Sequence, residues 1–319
     1  MCSERMLKMT NEMADSGVYE SHGALDITVT DRDFAARQIC RRTPDSHKGT
    51  YGSVLSVTGS RSMPGASVMS AKAALRSGLG ILRQCAVPES IAAFAAAFPE
   101  PVYVPVRSGE DGFYSAENAE MLSVLSGKSD ALLIGCGLGC TDETKSLVRE
   151  LLINAQCPVV LDADGLNCIA DNPDILNLVS QPVVITPHPA EAARLLGTET
   201  AEIQKDRLAA CIQLSERFPA VVSVLKGAGT ITCCGNRFYV NSTGNPGMST
   251  GGSGDVLAGI TASLLAQNRN RTPESVLRDT AAAVWIHGRA GDAAAEKLSQ
   301  FSMLPSDIIL ALPEVFSDF

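Results

Sequence analysis

Short, fully apolar runs alternate with amphipathic ones along most of this sequence. Ser53–Thr58 (SVLSVT), Ile81–Val87, Ala131–Ile134, Pro158–Leu161 and Pro182–Thr186 are brief and dominated by apolar residues. Runs of this length, bounded by turn residues, predict strands buried on both faces. Between them lie stretches with helical spacing: Asp31–Arg41 with Phe34, Ile39 and Cys40 apolar, Gly65–Arg76, the alanine-rich Ser90–Phe98, and Glu143–Asn154. Val221–Leu225, Thr230–Cys233 and Arg237–Val240 crowd together, which predicts a strand pair or triplet. From Gly254 onward the pattern is mostly helical. Strand and helix alternating at this spacing predict an α/β fold: a mostly parallel sheet with helices on both faces and an antiparallel hairpin at one edge. The first 25 residues read as a flexible lead-in, and 26–319 as a single domain.

Composition narrows the partners. The 319 residues carry 26 Lys and Arg against 35 Asp and Glu, a net charge of −9. With no basic block and 5% aromatics, nucleic acid is a poor partner. No apolar run approaches the roughly 18 residues that span a bilayer, and the N-terminus lacks the apolar core of a secretory signal. The expectation is a cytoplasmic protein that meets no membrane. Ten cysteines are scattered without CxxC spacing, and the four histidines lie far from Cys136, Cys140, Cys233 and Cys234. They read as small buried hydrophobes, with no dedicated metal site.

The chemistry gathers where strands end. Thr58-Gly59-Ser60, Gly135-Cys136-Gly137-Leu138-Gly139, Asp162-Ala163-Asp164, Thr186-Pro187-His188-Pro189, Lys226-Gly227-Ala228-Gly229-Thr230 and Asn241-Ser242-Thr243-Gly244-Asn245 each follow a predicted strand. In open α/β sheets ligands bind at the carboxyl ends of strands. The densest stretch is GNPGMSTGGSGDVLAG, Gly244 to Gly259. There Gly252, Ser253 and Gly254 lead into a helix, whose free N–H groups and dipole favour a phosphate. Asp255 stands in the first turn as a candidate base for a hydroxyl attacking a phosphoryl group. The alternative is a first-turn acid that only stabilises the helix. Neither a Walker loop nor GxGxxG after the first strand is present.

The glycine-glycine-x-glycine-aspartate helix start resembles the ribokinase-like superfamily, a three-layer sandwich. Further residues narrow the match. They are Ser46-His47-Lys48-Gly49-Thr50-Tyr51-Gly52, Pro64-Gly65-Ala66, Ala73 to Gly80 (AALRSGLG), Gly135-x-Gly-Leu-Gly139, Asp162-Ala163-Asp164, Thr186-Pro187-His188-Pro189-x-Glu191, Val224-Leu225-Lys226-Gly227 and Asn245 to Asp255. In that order, from Ser46 to His287, the chain resembles the ADP-dependent NAD(P)H-hydrate dehydratases. The resemblance implies repair of hydrated NADH or NADPH, the (6S) epimer. ADP, or ATP, with magnesium phosphorylates the hydroxyl and phosphate is then lost, giving NAD(P)H and phosphate, with AMP as the other product of the ADP-dependent reaction. It assigns Asp255 as base, with Gly252, Ser253 and Gly254 cradling the phosphoryl group. Lys226, Gly227, Ala228, Gly229, Thr230 and Gly254 would bind the nucleotide, and Ala66, Gly137, His188 and Asp255 the hydrated dinucleotide. Lys48, Asp162 and Asn245 would reach phosphate or magnesium. His287 reads as a core histidine. Only about 45 residues precede the matched stretch. This resembles the stand-alone form, with the epimerase on a separate chain, and a homo-oligomer, typically a tetramer, is implied. The rival is a kinase for a vitamin precursor such as a hydroxymethylpyrimidine or hydroxyethylthiazole. A silent nucleotide-binding regulator would have no need of Asp255.

Overall fold

The structure, a computed structural model, describes residues 25–319. The proposed lead-in lies almost wholly outside the described residues. Ten strands follow in chain order: β1 (Asp26–Val29), β2 (Ser53–Val57), β3 (Ile81–Ala86), β4 (Val102–Pro105), β5 (Ala131–Ile134), β6 (Val159–Leu161), β7 (Val183–Ile185), β8 (Val221–Leu225), β9 (Ile231–Cys234) and β10 (Arg237–Val240). The first helices are α1 (Arg32–Ala36), α2 (Pro64–Arg76), α3 (Pro88–Ala97), α4 (Ala119–Ser126), α5 (Asp142–Ile153) and α6 (Asp164–Ile169). Then come α7 (Pro189–Leu196), α8 (Thr200–Lys205), α9 (Arg207–Arg217), α10 (Ser253–Gln267), α11 (Pro273–Leu298) and α12 (Pro305–Ser317).

The strands form one sheet in the order β1-β10-β9-β8-β7-β6-β5-β2-β3-β4. Seven neighbouring strands, β8 through β4, are parallel, and β9 alone runs against the rest. The alternation along each strand divides the core in two. Val54, Leu133, Val160, Val184 and Val222 pack on the face carrying α2, α10, α11 and α12. Leu55, Leu132, Ile134, Val159, Leu161 and Ile185 pack on the face carrying α5, α7 and α9. This is the expected three-layer arrangement.

Two strands and one helix differ from the expectation. β1 pairs with β10 outside the hairpin, and β4 extends the far edge. Both are four residues long and largely open to solvent; β1 (DITV) carries no apolar run to read, and the short apolar run of β4 (VYVP) is flanked by Pro101 and ends in Pro105, which masks it as a loop. The helix expected over Asp31–Arg41 is α1 alone. Beyond it the Gln38 and Ile39 N–H groups reach back only three residues, to Ala35 and Ala36, and the chain tightens out of the helix.

Helices α2 and α10 lie against one another, and Gly259 makes this close approach workable. A Cβ there would stand 2.1 Å from the Ser70 carbonyl oxygen. Behind them, α11 buries Asp279. Its Oδ2 accepts from Asn268 Nδ2 at 2.8 Å, its Oδ1 has no partner, and burial pushes its pKa up to about 7. A raised carboxyl stabilises the fold while protonated, and that contribution is lost as pH rises from about 4 through about 7. Asp279→Asn keeps the acceptor and removes the charge. Urea denaturation should find the variant about 1–3 kcal/mol more stable than the parent at pH 8 and equal to it near pH 4. Equal stability at both would contradict the account.

Candidate active site

Four adjacent parallel strands deliver their terminal residues to one carboxylate. Asp162, just past β6, is 1% exposed. Its Oδ1 accepts from Thr186 Oγ1 past β7 at 2.6 Å and from Lys226 Nζ past β8 at 2.7 Å. Cys136, past β5, places its thiol Sγ 3.6 Å from Asp162 Oδ2. Lys226 also lies 3.7 Å from Glu191 Oε2 on α7. Burial works against the ammonium charge, yet Asp162 and Glu191 outweigh it and hold the Lys226 pKa above its ordinary value. Burial pushes the Cys136 thiol well up, and the carboxylates Asp162 and Asp255 add to that.

Asp255 joins this group from α10. One donor atom each of Asp255, Asp162 and Cys136 lies within 4.8 Å of the other two. Burial, then the Asp162 charge, raises the Asp255 pKa to about 7, although Cys136 and Lys226 pull the other way. A half-buried carboxyl poised near neutrality suits a general base.

The turn ahead of Asp255 is shaped to receive something. Gly252 is the N-cap of α10 with φ +103°, a conformation that favours glycine, and no side chain caps the helix. Ser253 N donates back to Thr250 O at 3.3 Å, and the Gly254 and Asp255 N–H groups that follow are left for an anion. Gly254 is different: its backbone is ordinary, and an added Cβ would make only normal contacts, 3.5 Å from Lys226 Nζ and 3.8 Å from Asp162 Oδ2. The chain's own packing does not demand glycine there. The bare backbone keeps open the space in front of Lys226 and Asp162. Across that space α2 begins without a side-chain cap, and Ala66 in its first turn meets Gly137, where a Cβ would stand 2.7 Å from the Ala66 Cβ. Gly254→Val should therefore fold, with a melting temperature near the parent's, and weaken ADP binding at least tenfold by calorimetry. Unchanged binding would remove this turn from the site.

A sequence profile of the NAD(P)H-hydrate dehydratases matches residues 54–314. This chain belongs to the NAD(P)H-hydrate dehydratase family. Among its relatives is the ADP-dependent (S)-NAD(P)H-hydrate dehydratase of Neisseria meningitidis, 39% identical over 259 residues, 79% of this chain and 80% of that one. The bifunctional NAD(P)H-hydrate repair enzyme of Moorella thermoacetica is 40% identical over 280 residues, 87% of this chain and 52% of that one. The chain thus spans about half the length of the bifunctional relatives it matches. Two solved structures, each 28% identical, share the fold. A ribokinase-like superfamily protein from Enterococcus faecalis has a TM-score of 0.78 and covers 92% of this chain and 96% of that one. The ADP/ATP-dependent NAD(P)H-hydrate dehydratase of Bacillus subtilis, crystallised with ATP and magnesium, has a TM-score of 0.74 over 92% of this chain and 99% of that one.

Within this dehydratase-family fold the remaining candidates separate. The Lys226–Thr230 turn is tied by Thr230 Oγ1, which accepts from Gly227 N at 3.3 Å and donates to Gly227 O at 2.8 Å. Behind it, Arg207 on α9 donates to Leu225 O at 2.8 Å and to Ala228 O. In the sequence Arg207 looks like any first-turn surface arginine, and only the fold brings it behind this turn. His188 caps α7: its Nδ1 accepts from Ala190 N and Glu191 N, each at 3.2 Å, and Glu191 Oε2 accepts from His188 N at 2.7 Å. The neutral ring then carries its proton on Nε2, which lies 3.2 Å from Glu191 Oε1. Asn245 is committed to protein partners, donating to Asp292 Oδ1 on α11 at 3.0 Å and accepting from Gly247 N in its own loop at 3.0 Å. His287 is buried in α11, with Nε2 unpartnered, and burial takes its pKa down to about 4. Lys48 is not brought to the site. It is exposed on the turn before β2, and Arg269, beyond the far end of α10, donates to the neighbouring Gly49 O at 2.9 Å. The fifteen residues of α10 put roughly 20 Å between that end and Asp255.

Proposed function

We propose that this chain is an ADP-dependent NAD(P)H-hydrate dehydratase, with residues 26–319 acting as one catalytic unit. The observation that carries this reading is the Asp255 carboxyl, raised to about 7, beside the Asp162–Lys226 pair on an uncapped, glycine-led helix N-terminus. The hydrated nicotinamide would lie between Ala66, Gly137 and His188, and the nucleotide along Lys226–Thr230 and Gly254. Asp255 takes the proton from the substrate hydroxyl as its oxygen attacks the terminal phosphoryl group of ADP. The N–H groups of Gly252 and Gly254, with Lys226, receive the charge that spreads over the transferring oxygens, and Ser253 N, bonded to Thr250 O at 3.3 Å, holds the turn in shape. AMP departs. The new phosphate ester then loses phosphate, and the adjacent ring carbon gives up a proton to restore the nicotinamide double bond.

Magnesium fits as a companion of the nucleotide. Asp162 Oδ2 faces the open space beside Gly254, and this carboxylate would help hold a magnesium ion carried in by the nucleotide. When bound it would neutralise phosphate charge. The proposal includes ATP as a substitute phosphoryl donor, a homotetramer, and an epimerase on a separate chain that supplies the (6S) epimer. No helix among the described residues is long and apolar enough to cross a membrane.

Product stoichiometry tests the reaction class. With ADP and hydrated NADH, AMP and inorganic phosphate should form in equal amounts, one of each per NADH recovered. The kinase alternative, acting on a hydroxymethylpyrimidine or hydroxyethylthiazole, predicts an accumulating phosphate ester and no free phosphate.

A further inference from the structure

The Cys136 thiol sits between the two carboxylates of the reaction centre, and the proposed chemistry gives it no task. Its Sγ is 3.6 Å from Asp162 Oδ2, and Cys136, Asp162 and Asp255 form the only such trio of metal-ligating side chains among the described residues. We propose that these three side chains bind a thiophilic divalent cation, zinc above all, and that zinc held there switches the enzyme off.

The Cys136–Asp162 spacing is right for a tetrahedral ion, and Asp255 offers its oxygen within 4.8 Å of both. Zinc–sulfur bonds of about 2.3 Å and zinc–oxygen bonds of about 2.0 Å place the sulfur and oxygen roughly 3.5 Å apart, close to the 3.6 Å observed. The charges also balance. A thiolate and two carboxylates bring three negative charges, and Lys226, bonded to Asp162 Oδ1, offsets one. What is left matches a divalent cation. Lys226 and Thr186 fix the Asp162 carboxylate through Oδ1, as outer partners commonly orient ligating carboxylates, so that Oδ2 faces the thiol. The space kept clear by Gly254 gives the ion a way in and leaves its fourth position for water. On binding, the thiol proton passes to solvent and no electrons move. Magnesium, which takes oxygen ligands and keeps its waters, gains nothing from the sulfur. Sequence spacing could not reveal this site, because its ligands come from two strands and a helix. The binding claim stands on geometry alone, whereas the inhibition claim rests on the role of Asp255 as base: a carboxylate ligating zinc cannot accept the substrate proton.

The test uses the full chain, free of nucleotide, with Cys2 and the exposed Cys40 and Cys140 changed to serine to clear the background. Titration with cobalt should produce a near-ultraviolet thiolate-to-cobalt band that saturates at one equivalent and is displaced by zinc. Cys136→Ala should abolish the band. Should that variant fail to fold, Asp255→Asn serves in its place and should weaken cobalt binding at least tenfold. In the dehydration assay with buffered micromolar free zinc, turnover should fall at least tenfold and return on chelation, while Cys136→Ala keeps more than half of its own zinc-free rate. A band that survives Cys136→Ala, or no band at all, overturns the site. A normal band with undiminished turnover overturns the inhibition. No turnover without zinc would count against the dehydratase reading instead, and the cobalt band would still decide the site.

Discussion

Asp255→Asn should fold, bind ADP and lose turnover by about a thousandfold. The substitution keeps size and shape in the first turn of α10, so the glycine turn and its N–H groups stay in place. What disappears is the capacity to take the hydroxyl proton, and positioned bases contribute about 10²–10⁴ in rate. Because the fold raises the Asp255 pKa to about 7, the ionised carboxylate is disfavoured in the native state at higher pH. Removing that charge should leave the variant at least as stable as the parent at pH 8, which separates lost chemistry from lost structure. The same raised pKa fixes a sign in the parent. The base works only when ionised, so kcat/KM should fall as pH drops through about 7. Steady-state kinetics across pH 5–9 with melting curves check both. Retained turnover in the variant would show that another group is the base.

Lys226→Met should damage both stability and binding. Lys226 is the cation facing Asp162, whose side chain is 2% exposed, and it lies within reach of the buried Glu191. Removing one partner of a buried pair leaves an uncompensated charge, at a cost of about 3–5 kcal/mol. Thr186 Oγ1 still donates to Asp162, which places the expected loss near the lower figure. The Asp255 pKa should move further above 7, since Lys226 is among the groups pulling it down. ADP affinity should fall as well, because this ammonium faces the phosphate space beside Gly254. Urea denaturation and calorimetric titration with ADP measure these effects. Unchanged stability together with unchanged ADP affinity would contradict the role assigned to Lys226.

The central strands are legible in the sequence because each is a compact apolar run buried on both faces. β1 escapes because an edge strand needs no such run, and β4 because the prolines around its short run, Pro101 and Pro105, read as a loop. Most of the candidate site is legible too, since glycines and polar residues clustered after strands have few reasons to recur in an α/β sheet. What the sequence hides is convergence. Nothing in the spacing of Cys136, Thr186 and Lys226 says that all three point at Asp162, because parallel strands adjacent in space are separated by whole helices in sequence. Arg207 is hidden for the same reason. Lys48 misleads in the opposite direction: it precedes β2, and the start of a parallel strand lies at the wrong end of the sheet from a site built on strand ends.

The central claim is that this centre turns a hydrated nicotinamide back into an intact one at the expense of a nucleotide. The direct measurement incubates the protein with hydrated NADH and magnesium, with ADP and ATP in parallel, and follows absorbance in the reduced-nicotinamide band. The account predicts that absorbance returns with a nucleotide, stays flat without one, and stays flat for Asp255→Asn under either. No return of absorbance with ADP or with ATP would contradict it.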